Sequence, residues 1–234
     1  MFLFFKLASF FDGEKYMHRR REFSLCAAAF VAGSCAAFAP VARAQSGAFK
    51  EGTDYLTLDK PAPVDSPAGQ VEVVEFFWYS CSHCNSFEPQ LDAWSKKQAK
   101  DVVLKRTPIA FRPDFEPQQR LYYVLEALGK LDELHKKVFA AIHVDKNPLA
   151  SADEISTWAQ KQGLNKAKFV ELYNSFSVST KTRKATQLQG AFNVDGVPAL
   201  GVAGRYYTSG SMTGSMPKAL AVVDALVALA RKPK

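Results

Sequence analysis

Cysteine is scarce in this chain. Cys26, Cys35, Cys81 and Cys84 are the four in 234 residues, too few for a small disulfide-stapled scaffold. No second C-x-x-C accompanies Cys81 and Cys84, and His135 and His143 lie outside the H-x3–5-H spacing, so a zinc site lacks its ligands. A basic stripe is missing too. The net charge is +7, but lysines are scattered among acidic neighbours, as where Asp132-Glu133 precedes Lys136-Lys137. That pattern excludes nucleic acid as a partner. Internal repeats, long linkers and low-complexity tracts are absent. What remains is 47% hydrophobic and 12% aromatic, enough apolar mass for a sizeable core and too much for a disordered chain.

The first 44 residues read as a removable leader. Met17 opens a basic stretch, His18-Arg19-Arg20-Arg21, followed by an uncharged run from Phe23 to Ala39 and then Ala42-Arg43-Ala44. This order is that of a signal peptide spanning about 17–44, with cleavage after Ala44 and Met17 as the better start. The run is too short and too rich in alanine and serine for a membrane span, which needs ~20 strongly apolar residues. Arg20-Arg21-Glu22-Phe23 leaves twin-arginine export open beside general secretion, and Ala32-Gly33-Ser34-Cys35 is a poor lipoprotein box. Removing the leader takes away six basic and three acidic residues and leaves 24 against 20, a net charge of +4. Cys26 and Cys35 go with it. The mature chain keeps one C-x-x-C pair.

Patterning places that pair at a junction. Val71–Trp78 is β-branched and aromatic and predicts a buried strand. From Cys84 onward, Phe87, Leu91 and Trp94 form a helical face, interrupted by Pro89, where a kink is expected. Tyr55–Leu58 and Val102–Thr107 predict further strands. Residues 116–190 carry four or five amphipathic helices, with a capping box at Ser151-x-x-Glu154, a stop at Gly163, a cap at Asn165 and a last helix around Thr180–Gln189. Strands return at Ala199–Ala203 and Tyr206–Thr208 with Gly204-Arg205 as the turn, and a helix runs from Ser215 to about Ala230. The order β-β-α-β, helical block, β-β-α predicts an α/β protein with one mixed sheet. No second independent domain is indicated.

The physics of Cys81-Ser82-His83-Cys84 is specific. At a helix start the first sulfur faces free backbone N–H groups and the positive end of the helix dipole. Both favour a Cys81 thiolate, and His83 in the same turn adds to them. A stabilised thiolate stabilises the dithiol, which makes the disulfide an oxidant. Cys84, one turn deeper, is the shielded partner. A purely structural disulfide would seldom close a four-residue loop at a helix start. Glu75 is either a strand-edge carboxylate in solvent or a buried acid able to exchange protons with Cys84. Val197-Pro198 is either an ordinary trans turn or a cis peptide that turns the Val197 backbone outward to pair with a substrate strand.

Glu75-Phe76-Phe77, Cys81-Ser82-His83-Cys84, Phe87-Glu88 and Gly196-Val197-Pro198-Ala199, in this order, resemble DsbA-type thiol:disulfide oxidoreductases. The resemblance runs from about Gly52 to the C-terminal helix. It implies a thioredoxin fold with an inserted helical domain, residues 45–115 and 191–234 forming the thioredoxin-like part and 116–190 the insert. It further implies Cys81 as exposed nucleophile, Cys84 as its buried partner, Glu75 as the buried acid and Pro198 as a cis-proline. Function follows by the same resemblance: donation of the Cys81–Cys84 disulfide to reduced, newly exported proteins in the periplasm, by a monomer that a DsbB-type quinone-linked membrane oxidase re-oxidises. No cofactor beyond that disulfide and no metal are expected. Ser82 departs from the proline of the best-known members and adds an N–H and a hydroxyl beside the sulfurs. Two rivals use the same residues: a reductase or isomerase, and a binding or chaperone module with an incidental disulfide. Residues 45–70 are too short for the dimerisation domain that isomerases of this superfamily usually carry.

Overall fold

The computed structural model describes residues 49–232. The leader, with Met17, Cys26, Cys35 and the cleavage site after Ala44, lies outside the described residues. Alternation along one strand organises the rest. β2 (Val71–Phe77) is buried along its whole length, and successive side chains point to opposite faces. Val71 and Val73 pack with Phe87, Leu91 and Trp94 of α1 (Ser82–Ser95) and with Val222, Val223 and Leu226 of α8 (Met216–Ala230). Val74 and Phe76 face the other way, onto Ile109, Phe192 and Tyr207. By parity Glu75 shares the α1 side with Val73 and Phe77.

β2 pairs in parallel with β3 (Val102–Pro108), which sets Glu75 opposite Arg106, and antiparallel with β4 (Ala199–Val202). β5 (Tyr206–Ser209) and β1 (Leu56–Thr57) complete a mixed sheet in the order β1-β5-β4-β2-β3. The β4–β5 turn is centred one residue earlier than expected. Ala203 and Gly204 both have positive φ, +51° and +62°, and Arg205 N–H donates to the Val202 carbonyl at 2.9 Å. Two central residues of positive φ are what a two-residue hairpin of type I′ requires.

Between β3 and β4, after a 3-10 turn at Pro113–Phe115, come α2 (Glu116–Ala127), α3 (Leu131–His143), α4 (Ala152–Lys161), α5 (Lys166–Tyr173) and α6 (Phe176–Ala191). Their apolar faces enclose Leu121, Leu125, Leu134, Val138, Ile155 and Phe169, each fully buried. Full burial of a side chain of this size stabilises by roughly 1.5–3 kcal/mol. α6 begins four residues before its expected start, because Ser175 caps Val178 N–H and the Ser-Val-Ser stretch that follows shows no apolar period. A four-residue α7 (Gly210–Thr213) before α8 has no sequence signal of its own. Among the described residues no helix is long and apolar enough to cross a membrane.

The expected caps form. Ser151 Oγ accepts from Glu154 N–H at 3.2 Å, whereas the Glu154 carboxylate reaches one residue further back and accepts from Ala150 N–H at 2.8 Å. Gly163, at φ +86°, ends α4 with the paired bonds Leu164 N–H to Ala159 and Gly163 N–H to Gln160, a Schellman motif. Ser151→Ala removes the N-cap acceptor at an exposed position and is expected to cost about 1 kcal/mol, read as a lower urea midpoint with unchanged slope.

Candidate active site

The strand-to-helix junction puts Cys81 at the N-cap of α1, with extended backbone (φ −79°, ψ 116°). Its sulfur accepts from Cys84 N–H at 3.4 Å, and its carbonyl accepts from Asn85 N–H at 3.1 Å. Both thiols are free in this structure, Cys81 half-buried and Cys84 fully buried. Their acidities lie far apart. The Cys84 thiol leads in pulling Cys81 down to about 6, with the N–H groups of Cys84 and His83 and the His83 charge adding to it against burial. Burial, and then the Cys81 thiol, push Cys84 far upward.

Across the groove the Val197–Pro198 peptide is cis. The Cys81 thiol donates to the Val197 carbonyl at 3.5 Å. A cavity of about 320 Å³ opens beside it, walled by His83, Val197, Pro198, Tyr207, Ser209 and Met216. His83 is exposed at its rim. Beneath the helix, Glu75 is completely enclosed, which excludes the solvent-facing reading. Neither carboxylate oxygen has an aligned hydrogen bond, although Arg106 Nε is 3.2 Å from Oε2. Burial first, and then the Glu88 charge, hold the Glu75 carboxyl well above the usual range against the pull of Arg106. It stands close enough to Cys84 for its charge to raise that thiol further. All six residues singled out in the sequence, Glu75, Cys81, His83, Cys84, Val197 and Pro198, therefore meet around one sulfur pair.

Sequence reasoning missed the polar cluster behind them. Arg106 donates to Glu88 at 3.1 and 3.0 Å and to Asp92 at 2.8 Å, and Lys136 pairs with the other Asp92 oxygen. Burial alone would raise Glu88, yet His135 and Arg106 hold it below its usual range; Lys136 and Arg106 do the same for Asp92. His135, buried on α3, has Nε2 3.1 Å from Glu88 and Nδ1 2.8 Å from the Tyr79 hydroxyl. His143, two turns on, donates from Nε2 to the Tyr79 carbonyl at 2.8 Å. Gln118 of α2 accepts from Ser80 N–H at 3.2 Å and donates to its hydroxyl at 2.6 Å. Two helices of the inserted block thus grip the two residues that precede Cys81.

An acidic, half-buried thiol beside a sealed, weakly acidic one can, once the two are joined as a disulfide, accept a thiolate at one sulfur and release the other, which is thiol–disulfide exchange. The model of the DSBA-like thioredoxin domain matches residues 72–218. The chain belongs to this family. A DSBA-like relative, the thiol:disulfide interchange protein DsbA of Bordetella pertussis, is 43% identical over 211 residues, covering 90% of this chain and 98% of its own. The DsbA of Pseudomonas aeruginosa is 36% identical over 184 residues, 79% of this chain and 87% of that one. A crystal structure of P. aeruginosa DsbA matches with a TM-score of 0.74 at 36% identity, covering 78% of this chain and 95% of the other. With this family come the α/β thioredoxin fold with its helical insertion and protein-disulfide oxidoreductase activity.

The enclosed Glu75 has a measurable consequence for stability in this DSBA-like protein. Its folded pKa is raised, so its contribution is fully present below the unfolded value, 4.5, and is lost as pH rises above it. Glu75→Gln is therefore expected to raise Tm at pH 7, by roughly 1–2 kcal/mol or about 3–6 °C. The gain shrinks as pH falls below 4.5. An equal gain at pH 4 and pH 7 in thermal melts would contradict this.

Proposed function

We propose that this chain is a periplasmic dithiol oxidase that donates the Cys81–Cys84 disulfide to newly exported proteins. The observation that carries the reading is the opposition of the two thiols, Cys81 half-buried and pulled down to about 6, Cys84 sealed and pushed up. A client thiolate attacks Cys81 Sγ, the S–S bond breaks, and Cys84 leaves with the electron pair. Glu75 hands its proton to the Cys84 sulfur, so no second thiolate forms in an apolar site. The client strand lies in the groove beside Val197 and Pro198, where the Val197 backbone is available for pairing, and His83 stabilises the thiolate at the rim. The client's second thiolate then attacks its own sulfur in the mixed disulfide and releases Cys81 as thiolate. Two electrons have moved from client to enzyme; the client's two protons went to solvent as its thiolates formed, Cys84 holds the proton from Glu75, and Cys81 is left as thiolate.

Re-oxidation passes those electrons to a quinone through a DsbB-type membrane oxidase, and the enzyme works as a monomer with no cofactor beyond its own disulfide. The test is the equilibrium of the Cys81/Cys84 pair with glutathione. An oxidising potential well above the glutathione couple supports the oxidase. A strongly reducing one would mean a reductase working through the same site.

A further inference from the structure

The cluster behind the dithiol has unequal charges. Three carboxylates, Glu75, Glu88 and Asp92, are met by two fixed cations, Arg106 and Lys136. One negative charge is left over in a mostly buried place, where an uncompensated charge is costly. A proton must cover it, and two groups in the cluster can hold one. Glu75 is the inner group, enclosed on all sides. His135 is the outer one, and it lines a cavity of about 620 Å³ together with Arg106, Asp92 and Lys136.

Both nitrogens of that imidazole face polar groups. Nδ1 shares a hydrogen bond of 2.8 Å with the buried Tyr79 hydroxyl, and Nε2, 3.1 Å from Glu88, has no aligned hydrogen bond. Either neutral tautomer leaves one ring nitrogen able to take a second proton. The groups that face the ring are Glu88 and Asp92 from α1, Arg106 from β3, Tyr122 from α2, Tyr79 ahead of Cys81, and Lys136 on its own helix. Glu126, Asp132, Lys96 and Lys105 line the same cavity. Imidazole is the one side chain whose ordinary titration falls between pH 5 and 8.

We propose that His135 is a positioning residue for the exchange reaction, the outer proton site that compensates the cluster when Glu75 gives its proton to Cys84. This rests on the reading of Glu75 as the proton donor. Arg106 keeps its own protons throughout; the effect reaches Glu75 through the Glu88 charge, which raises the Glu75 carboxyl and which a protonated His135 offsets. When Cys84 leaves as thiolate, the Glu75 O–H bond breaks and the Cys84 S–H bond forms. His135 gains or already holds a proton from the water of the cavity, so the carboxylate left on Glu75 has its counter-charge. On re-oxidation both protons return by the same routes. A protonated His135 makes Glu75 the readier donor, so its contribution is largest in acid and vanishes where the imidazole is neutral.

The experiment measures the rate at which a reduced dithiol peptide reduces the oxidised full-length protein, from pH 5 to 8, in wild type, Glu75→Gln and His135→Gln. Glutamine keeps one acceptor for Tyr79 and one donor for Glu88 but takes no proton. His135→Gln is expected to be roughly tenfold slower at pH 5.5 and equal to wild type at pH 8, below the ~10²–10⁴ of a direct acid–base group. The Cys81 thiolate titration, followed by absorbance, stays in place. A wild-type profile in His135→Gln, with Glu75→Gln slow, overturns the inference and leaves the Glu75 reading intact. Wild-type rates in Glu75→Gln overturn both. Should His135→Gln fail to fold, NMR titration of His135 in the wild-type protein decides: proton uptake between pH 8 and 5 sustains the inference, and an imidazole that stays uncharged overturns it.

Discussion

Cys81→Ser is expected to lose disulfide donation by roughly a thousandfold or more, since the attacked sulfur is gone and no other group in the groove can replace it. Cys84→Ser should behave differently. Its Cys81 remains half-buried and reactive, attacks client disulfides, and forms mixed disulfides that no neighbouring thiol can resolve. Incubation with a disulfide-bonded peptide should yield a covalent adduct on a non-reducing gel, released by dithiothreitol. Absence of adduct while Cys81 still reacts with iodoacetamide would reverse the assigned roles. In the reduced wild-type protein, alkylation of Cys81 should be half-maximal near pH 6, where its thiol is held, and Cys84 should resist throughout. The sign of the linkage agrees with an oxidant. A depressed thiol stabilises the folded dithiol fully above its ordinary value of 9.0, and the contribution is lost as pH falls to about 6.

Arg106→Met is expected to be the most destabilising single change at the site, by about 3–5 kcal/mol at pH 7. Glu88 would keep its carboxylate, which is almost fully enclosed, and lose both bonds from the guanidinium. Asp92 would be left with Lys136 alone. Glu88 and Asp92 have depressed folded values, so the stabilisation they receive from Arg106 is present at neutral pH. It is lost in acid as they protonate. The deficit of Arg106→Met should accordingly narrow below pH 4. Urea denaturation at pH 7 and pH 3.5 measures both points, and a deficit independent of pH would show that the guanidinium acts by packing alone.

What the sequence showed of this site was its local part. A strand of alternating faces, a C-x-x-C at a helix start, the caps at Ser151 and Asn165 and the proline before β4 each depend on neighbours a few residues away, and each carries its own signal. The companions of Glu75 carry none. Arg106 reaches it through the parallel register of β2 and β3, and Tyr79 meets His135 across 56 residues of chain. Spacing arguments measure distance along the chain, so they could only dismiss His135 and His143 as zinc ligands. The fold returns both to the site as hydrogen-bond partners of one tyrosine. The turn at Ala203-Gly204 was misplaced for a smaller reason: alanine gives no hint that its φ will be positive.

Because β2 shows alternate residues to opposite faces, the side on which Glu75 lies is a matter of parity. It stands two residues before Phe77, the last of the strand, and so shares the side of the sheet that α1 covers. One residue added or removed within β2 downstream of Val73, with its pairing kept, would exchange the two linings. The carboxyl would turn towards Ile109 and Phe192, and Val74 after an insertion, or Phe76 after a deletion, would stand against Arg106. The chain can alter what flanks this strand, but within it the residues ahead of Glu75 can change in number only by twos.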